Sequence, residues 1–172
     1  MKPRRSLLAV SILCLTLAIP ILAANERLQL GAVLTGFRQV PSVSTKGRGE
    51  FRAKVNDDGT QIKFTLKYAD LEGAPTAAHI HFGQHFSNGG IMAILCGGGK
   101  AACTSTGNTL SGTITASDIV GPADQGIEAG SFAEALRAVR TVHGFVDVHT
   151  DKFPNGEIRG QIRHRYLEDD DE

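Results

Sequence analysis

The stretch AHIHFG, residues 78–83, decides how the rest of the chain is interpreted. Apolar and polar side chains alternate along it, which is typical of a β-strand with one buried face. Ile80 then faces the core, and His79 and His81 project together from the opposite face. Two imidazoles on one strand face can bind a metal, act as a proton-linked switch or join a hydrogen-bond network.

A second histidine-bearing strand is predicted near the end of the chain, over residues 142–150, and a partner strand over residues 158–162. Apolar residues alternate in both, so each strand has one face that must be buried. The two apolar faces match when Val148 lies opposite Ile158. A slip of one residue would turn either strand inside out, and the pattern therefore predicts this register.

That register also predicts which polar side chains meet on the outer face of the hairpin. Asp147 falls opposite Arg159, and His149 falls opposite Glu157. Facing residues of opposite charge stabilise a sheet, so we expect an ion pair between Asp147 and Arg159. The same parity puts His149 on the face that carries the two histidines of the first strand. Parity fixes the face of each histidine but not whether the two strands are neighbours.

The remaining pattern indicates an all-β protein. Short alternating segments bounded by Gly, Pro, Asn and Asp predict about seven strands, and the clearest hairpin spans residues 51–68 around the turn NDDG at 56–59. A helix is predicted only over residues 132–140, where apolar residues recur at helical spacing. These elements predict an antiparallel, Greek-key-like β-sandwich or barrel with one short helix in a connection.

The chain divides into a leader, one domain and a tail. Residues 1–24 have a basic start, an uncharged apolar run and small residues before the expected cleavage site, which is typical of a secretory signal peptide. Residues 25–166 are long enough for a single domain with a hydrophobic core, and residues 167–172 form an acidic tail expected to be disordered. The protein is thus expected to be secreted or periplasmic, with membrane attachment only through an uncleaved signal segment.

Net charge limits the classes of partner, and cysteine usage indicates the cellular compartment. Eighteen basic and 18 acidic residues give zero formal net charge, so no broad basic field attracts nucleic acid. Cys96 and Cys103 lie outside the leader, and an even cysteine count in an exported chain predicts a disulfide. A redox-active or metal-binding pair fits less well, because six residues separate the two cysteines.

Several segments resemble, in order, those of one domain family. The matching segments are LTG at 34–36, VP at 40–41, AHIH at 78–81, ILCGG at 94–98, SGTIT at 111–115, VDVHT at 146–150 and GEIRGQ at 156–161. Through them the chain resembles a stand-alone, secreted member of the CHRD (chordin) domain family. The resemblance implies an extracellular β-sandwich module without established catalysis. It also suggests that the two histidine strands lie near one another, where their histidines can share one site. This chain has Gln39 where family members often carry Glu, and Asp147 where they often carry Asn.

The candidate metal ligands are the histidines of the two predicted strands. His79, His81 and His149 supply three imidazoles, and three imidazoles beside a carboxylate suit copper or zinc. Further candidates, as additional ligands or in the surrounding shell, are Asp147, Glu157, His143 and Arg159. In the alternative, the histidines bond to backbone and carboxylate groups and only hold the two strands together.

Two functions remain compatible with these patterns. The first is a secreted, non-enzymatic binding or structural module, whose partner is an unidentified extracellular or periplasmic protein or glycan. The second is a copper- or zinc-binding protein, with redox activity as one consequence of bound copper. A looser likeness to copper/zinc superoxide dismutase, carried only by residues 79–83, favours the second. No nucleophile motif is present, so we expect no catalytic residues and no enzyme.

Overall fold

The computed structural model describes residues 28–104 and 109–165, so the predicted signal peptide and acidic tail lie outside the described residues. The described part contains nine strands and one α-helix. In chain order these are β1 (Gln29–Thr35), β2 (Arg48–Val55), β3 (Ile62–Ala69), β4 (Pro75–Phe82), β5 (Ile91–Cys96), β6 (Thr109–Ile114), α1 (Phe132–Arg140), β7 (Gly144–Thr150), β8 (Ile158–Gln161) and β9 (Arg163–His164).

The strands form one antiparallel sheet in the order β5-β4-β7-β8-β1-β2-β3-β6, with β9 pairing beside β1. The sheet curls around its own core into a nearly closed barrel, which confirms the predicted all-β class. Alternation explains the curl, because each strand sends its apolar residues to the same inner face. In the described part of the chain, no helix has the length and apolar character needed to cross a membrane.

The helix α1 lies in the connection between β6 and β7, as predicted. Phe132, Leu136 and Val139 form its buried stripe, and the helix packs against β4, β7 and β9. The three side chains lie at helical spacing, so a single face of the short helix enters the core. The helix therefore covers one part of the barrel and leaves the outer face of β4 and β7 to other residues.

The two histidine strands are direct neighbours in the sheet. β4 pairs with β7 so that His79 lies opposite Asp147 and His81 lies opposite Phe145. Ile80 and Val148 point into the core, so the polar residues on either side of each one along its strand lie on the outer face. The fold thereby brings together two segments that are about seventy residues apart in the chain.

The hairpin of β7 and β8 has the register that its apolar faces predict. Val148 pairs with Ile158, and Asp147 pairs with Arg159. The predicted disulfide between Cys96 and Cys103 is also present, and it joins the end of β5 to the following loop. Both findings agree with the sequence patterns from which they were expected.

Candidate metal centre

Four side chains converge on the outer face where β4 meets β7. His79 and His81 project from β4, and Asp147 and His149 project from β7. One ligand atom from each lies within 4.8 Å of one ligand atom from every other. Strand parity explains the grouping, because residues two apart on a strand share a face and β4 and β7 are hydrogen-bonded neighbours.

The Asp147 carboxylate is the common neighbour of the three imidazoles. Its Oδ1 atom lies 3.2 Å from His81 Nε2, 3.2 Å from His149 Nε2 and 3.9 Å from His79 Nδ1. His79 Nδ1 also lies 3.2 Å from His149 Nε2. All four side chains are largely withdrawn from solvent, so these contacts are only weakly screened.

Backbone carbonyls fix the tautomers of two of the imidazoles. His81 Nδ1 lies 2.9 Å from the carbonyl oxygen of Gly89, and His149 Nδ1 lies 2.9 Å from that of Pro154. A carbonyl oxygen only accepts hydrogen bonds, so each Nδ1 carries the proton and donates it. In the neutral rings, the two Nε2 atoms therefore present lone pairs towards Asp147.

Two atoms of this cluster lack a hydrogen bond although they are buried. His81 Nε2 and Asp147 Oδ1 approach each other closely, but among the described residues neither has a hydrogen-bond partner of good geometry. Buried polar atoms without partners are rare in folded proteins because their desolvation costs free energy. His81 Nε2, His149 Nε2 and Asp147 Oδ1 are thus three electron-rich atoms that face one another, and a proton or a metal cation between them would relieve their repulsion.

The groups of the cluster shift one another's pKa. Burial favours neutral Asp147, but its close contacts with His149 and His81 and their attraction outweigh burial, and the pKa of Asp147 falls well below its usual range. Burial lowers the pKa of His79 to about 4. Burial also opposes a charge on His149, but the Asp147 carboxylate 3.2 Å away bonds to and attracts the imidazolium form, so the pKa of His149 rises. A proton that enters the metal-free cluster therefore favours His149 over His79.

The structure does not form the predicted ion pair between Asp147 and Arg159. In the described part of the chain, the side-chain nitrogens within ion-pairing distance of the Asp147 carboxylate belong to the three histidines. Arg159 instead donates from Nη2 to the carbonyl oxygens of Gln84 and Ser87. The two strands pair as predicted, but the long arginine side chain reaches past the carboxylate to a loop that the hairpin pattern could not place.

Two other candidates also lie away from the cluster. Glu157 precedes β8, and its carboxylate turns inward to the hydroxyls of Thr45 and Thr150 instead of lying beside His149. His143 precedes β7, and its Nδ1 atom lies 3.1 Å from Thr141 Oγ1. Both residues sit just beyond a strand end, where strand parity no longer fixes the direction of a side chain.

Other residues support the site without a clear signal in the sequence. Gly89 and Pro154 contribute backbone carbonyls, so no side chain in the sequence marks these positions. Phe145 does carry a signal, because it is an apolar residue at an outward position of β7. Its ring is buried and lies parallel to that of His81, at 4.8 Å between centroids.

Comparison with known proteins agrees with the fold and its motifs. A family model described as the CHRD domain matches residues 30–162, a range that includes all four residues of the cluster. A search of curated proteins finds no match to the chain. The family match spans well over half of the sequence, and the chain belongs to the CHRD domain family.

Proposed function

We propose that this CHRD domain is a metal-binding protein that holds one Zn²⁺ or Cu²⁺ ion between His79, His81, Asp147 and His149. The observation that carries the proposal is the convergence of four ligand atoms, among them two buried atoms without a hydrogen bond. A cation at their centre replaces the repulsion between lone pairs and carboxylate by favourable bonds.

The separations between the ligand atoms support a four-coordinate ion. A tetrahedral site with bonds of about 2.0–2.1 Å has edges of about 3.3–3.4 Å. Three of the contacts within the cluster measure 3.2 Å and a fourth measures 3.9 Å. The two remaining separations are within 4.8 Å, and rotations of the rings about their side-chain bonds would bring these atoms towards bonding distances.

The donor types favour zinc or copper over other common ions. Imidazole nitrogen is a good ligand for both metals, and one carboxylate adds the negative charge that a divalent cation requires. Calcium and magnesium prefer sites built from oxygen atoms, which three imidazoles do not offer. Cys96 and Cys103 are bonded to each other, so neither supplies a thiolate.

The ligand count supports a non-enzymatic role. Structural zinc sites have four protein ligands, whereas catalytic sites keep one position open for water or substrate. Three imidazoles and one carboxylate fill the four positions of a tetrahedral ion. The bound metal then joins β4 to β7 and serves a binding or structural module instead of a reaction centre.

We also propose that the protein is exported and loaded with metal outside the cytoplasm. The signal-peptide pattern of residues 1–24 supports export, and the disulfide between Cys96 and Cys103 suits an oxidising compartment. A metal joining two strands and a disulfide bracing a loop are both means of stabilising a small exported domain.

A proton is the alternative occupant of the cluster. The raised pKa of His149 favours this alternative, because an imidazolium at that position pairs with the Asp147 carboxylate. In that case the histidines hold β4 and β7 together by hydrogen bonds and ion pairs alone. The two alternatives differ in whether purified protein retains metal.

Elemental analysis of the exported protein tests the proposal. The protein is prepared without a polyhistidine tag, stripped with a chelator, incubated with Zn²⁺ or Cu²⁺ and freed of excess metal. We expect about one ion per chain for the natural protein. His81→Ala is expected to retain almost none, and the matched control His85→Ala, at an exposed loop histidine, is expected to retain the full amount.

The measured metal content distinguishes a bound metal ion from a bound proton. A metal content far below one ion per chain in the natural protein, after reconstitution with each metal, would reject the metal site and leave the proton in its place. Equal retention by His81→Ala and the natural protein would show that the metal binds elsewhere. Folding of each variant is checked by circular dichroism before metal is added.

A further inference from the structure

Arg159 is buried on the outer face although its partner in register is the metal-site carboxylate. Only 2% of the residue is exposed. Its Nη2 atom donates to the carbonyl oxygen of Ser87 at 2.7 Å and to that of Gln84 at 3.2 Å. A guanidinium is planar and its N–H bonds point in fixed directions, so two carbonyls bound to the Nη2 atom fix the position of the loop that carries them.

The loop between β4 and β5, residues 83–90, is held by a second side chain of β8. Gln161 Nε2 donates to the carbonyl oxygen of Gly83 at 3.1 Å and to that of Val142 at 2.8 Å. Arg159 and Gln161 are two residues apart on β8, so both project from the same face. Together they attach the loop at three of its carbonyl groups.

The same loop supplies the acceptor that orients His81. The carbonyl oxygen of Gly89 accepts from His81 Nδ1 at 2.9 Å. A glycine is needed there, because a Cβ atom at position 89 would lie 1.7 Å from the carbonyl oxygen of Phe82. The loop thus passes close to the end of β4, and its attachment to β8 determines where the Gly89 carbonyl sits.

A stack of side chains connects Arg159 to His81 by a second route. The guanidinium carbon of Arg159 lies 3.4 Å from the ring centroid of Phe145. The ring of His81 lies parallel to the same phenyl ring, with an angle of 4° between the planes. Arg159 and His81 come from the strands on either side of β7, so they confine Phe145 from both neighbouring strands.

From these contacts we infer that Arg159 is a positioning residue that holds His81 in the tautomer protonated at Nδ1, with Nε2 free for the metal. The expected effect on metal affinity rests on the proposed metal site, but the tautomer of His81 exists without metal. Hydrogen bonds of this kind, from the ring nitrogen that does not bind the metal, fix the ring orientation of metal-binding histidines, and their loss costs about 10–100-fold in metal affinity. The expected loss for Arg159 is about tenfold or more.

A role of Arg159 through its charge predicts a different effect on Zn²⁺ binding from a role in positioning His81. Arg159 is a cation near Asp147, and by charge alone its removal would strengthen the binding of a divalent cation. Arg159→Lys keeps the positive charge but loses the planar guanidinium, whereas Arg159→Gln loses both the charge and the guanidinium. The positioning role predicts weaker Zn²⁺ binding in both variants. A role through charge alone predicts unchanged binding in the first and tighter binding in the second.

The experiment combines nitrogen NMR of the imidazoles with Zn²⁺ titration. In metal-free natural protein, we expect His81 to carry its proton on Nδ1. In Arg159→Lys and Arg159→Gln, the ring nitrogens of His81 should show a mixture of both tautomers, and Zn²⁺ affinity should fall about tenfold or more. Arg163→Lys, at an exposed residue of β9, is the matched control and should change neither quantity.

The result decides the inference even if one variant folds poorly. Gln161→Met removes the second attachment of the loop and keeps Arg159 with its stack on Phe145, and it should shift the same His81 signals by a smaller amount. An unchanged Nδ1–H tautomer in all folded variants would overturn the positioning role. A natural protein that binds no Zn²⁺ but shows the tautomer shift would reject the metal site and retain the role of Arg159.

Discussion

Two buried carboxylates lie in the hairpin of β7 and β8, and their surroundings differ in kind. Glu157 is 0% exposed and Asp147 is 4% exposed. Glu157 accepts hydrogen bonds from the hydroxyl of Thr45 at 2.6 Å, the backbone N–H of Glu72 at 2.8 Å and the hydroxyl of Thr150 at 2.9 Å. Its charge is stabilised by donors that the protein itself supplies.

Asp147 faces nitrogen atoms that do not all donate. Its Oδ1 atom meets His81 Nε2 and His149 Nε2, whose protons are displaced to Nδ1 by carbonyl acceptors. A buried carboxylate is tolerated when it is paired, and in the proposed metal site the partner of Asp147 is a cation. Glu157 therefore joins distant segments of the fold, and the contrast with Glu157 supports the proposal that Asp147 binds a metal cation.

The largest expected effect is the loss of metal on neutralising Asp147. Asp147→Asn keeps the shape of the side chain and removes its charge, so Zn²⁺ affinity should fall about 100-fold or more. Glu157→Gln should leave Zn²⁺ affinity unchanged within about threefold, because its carboxylate lies outside the cluster. Titration with a competing chelator measures both, with Asp124→Asn at an exposed residue as the control.

A reversed result would break the comparison. If Glu157→Gln lost metal and Asp147→Asn retained it, the ion would lie at the other carboxylate. If both variants lost metal to the same extent, the two groups would act as one unit. Either outcome would remove the distinction between a carboxylate that supports the fold and one that binds a ligand.

The sequence predicts the location of the site better than its surroundings. Alternation about Ile80 and Val148 places the three histidines and Asp147 on one face, and the closing hairpin follows from the apolar match of Val148 with Ile158. These predictions succeed because strand periodicity is local and a slipped register would bury charge. The adjacency of β4 and β7 is not local, and the sequence supports it only through the family resemblance.

The role of Glu157 and the contacts of Arg159 lie beyond sequence reasoning. The Glu157 carboxylate bonds to Thr45, which is 112 residues away, so no local pattern encodes the contact. Arg159 bonds to backbone carbonyls, which every residue possesses and no sequence motif marks. Phe145 could have been recognised, because an apolar residue among outward polar positions indicates a second buried layer.

The second prediction concerns the free energy of unfolding, which should depend strongly on Glu157. Glu157→Gln replaces one carboxylate oxygen by an amide nitrogen, so either the N–H of Glu72 faces another donor or the Thr150 hydroxyl must turn to accept. The charge that strengthens all three hydrogen bonds is also lost. The free energy of unfolding should fall by about 2 kcal/mol. Urea denaturation in the presence of a chelator measures the change, and Glu128→Gln at an exposed residue should change stability by less than about 0.5 kcal/mol.

The unfolding experiment also has a result that contradicts the assignment. A stability loss below that of the Glu128 control would mean that the three donors around Glu157 adapt to an amide at little cost. Glu157 would then not be a structural anchor, and its full burial would need another explanation.

The third prediction uses pH to detect the proton that competes with metal. The bond and attraction to Asp147 raise the pKa of His149 despite its burial, and this ring must lose its extra proton before Nε2 binds metal. Zn²⁺ affinity should therefore be constant above that raised pKa and fall about tenfold per pH unit below it. His79 does not compete in this range because burial lowers its pKa to about 4.

Zn²⁺ affinity is measured across a pH series in the natural protein and in Glu157→Gln. The two profiles should coincide, because Glu157 does not contact the cluster. An affinity that does not vary with pH from about 8 to about 5 would show that no proton occupies the site of the metal. That result would contradict the assignment of His149 as the proton acceptor.

The smallest expected effect comes from removing one donor to Glu157. Thr45→Val keeps the shape of the side chain and removes the hydroxyl that donates to Glu157 Oε1 and accepts from the backbone N–H of Gly47. The same oxygen keeps its bond from the N–H of Glu72, so the carboxylate remains partly satisfied. We expect a loss of about 1 kcal/mol in the free energy of unfolding.

Thr45→Val is also the sharpest test of independence between the two carboxylates. Thr113→Val, at an exposed position of β6, is the matched control for loss of a threonine hydroxyl. Zn²⁺ affinity should be the same in both variants, because Thr45 contacts Glu157 and not the histidine cluster. A change of more than about threefold in Thr45→Val alone would mean that strain at Glu157 reaches Asp147 through the shared hairpin. The fold anchor and the binding site would then be coupled, and the positions of the ligands would depend on both carboxylates.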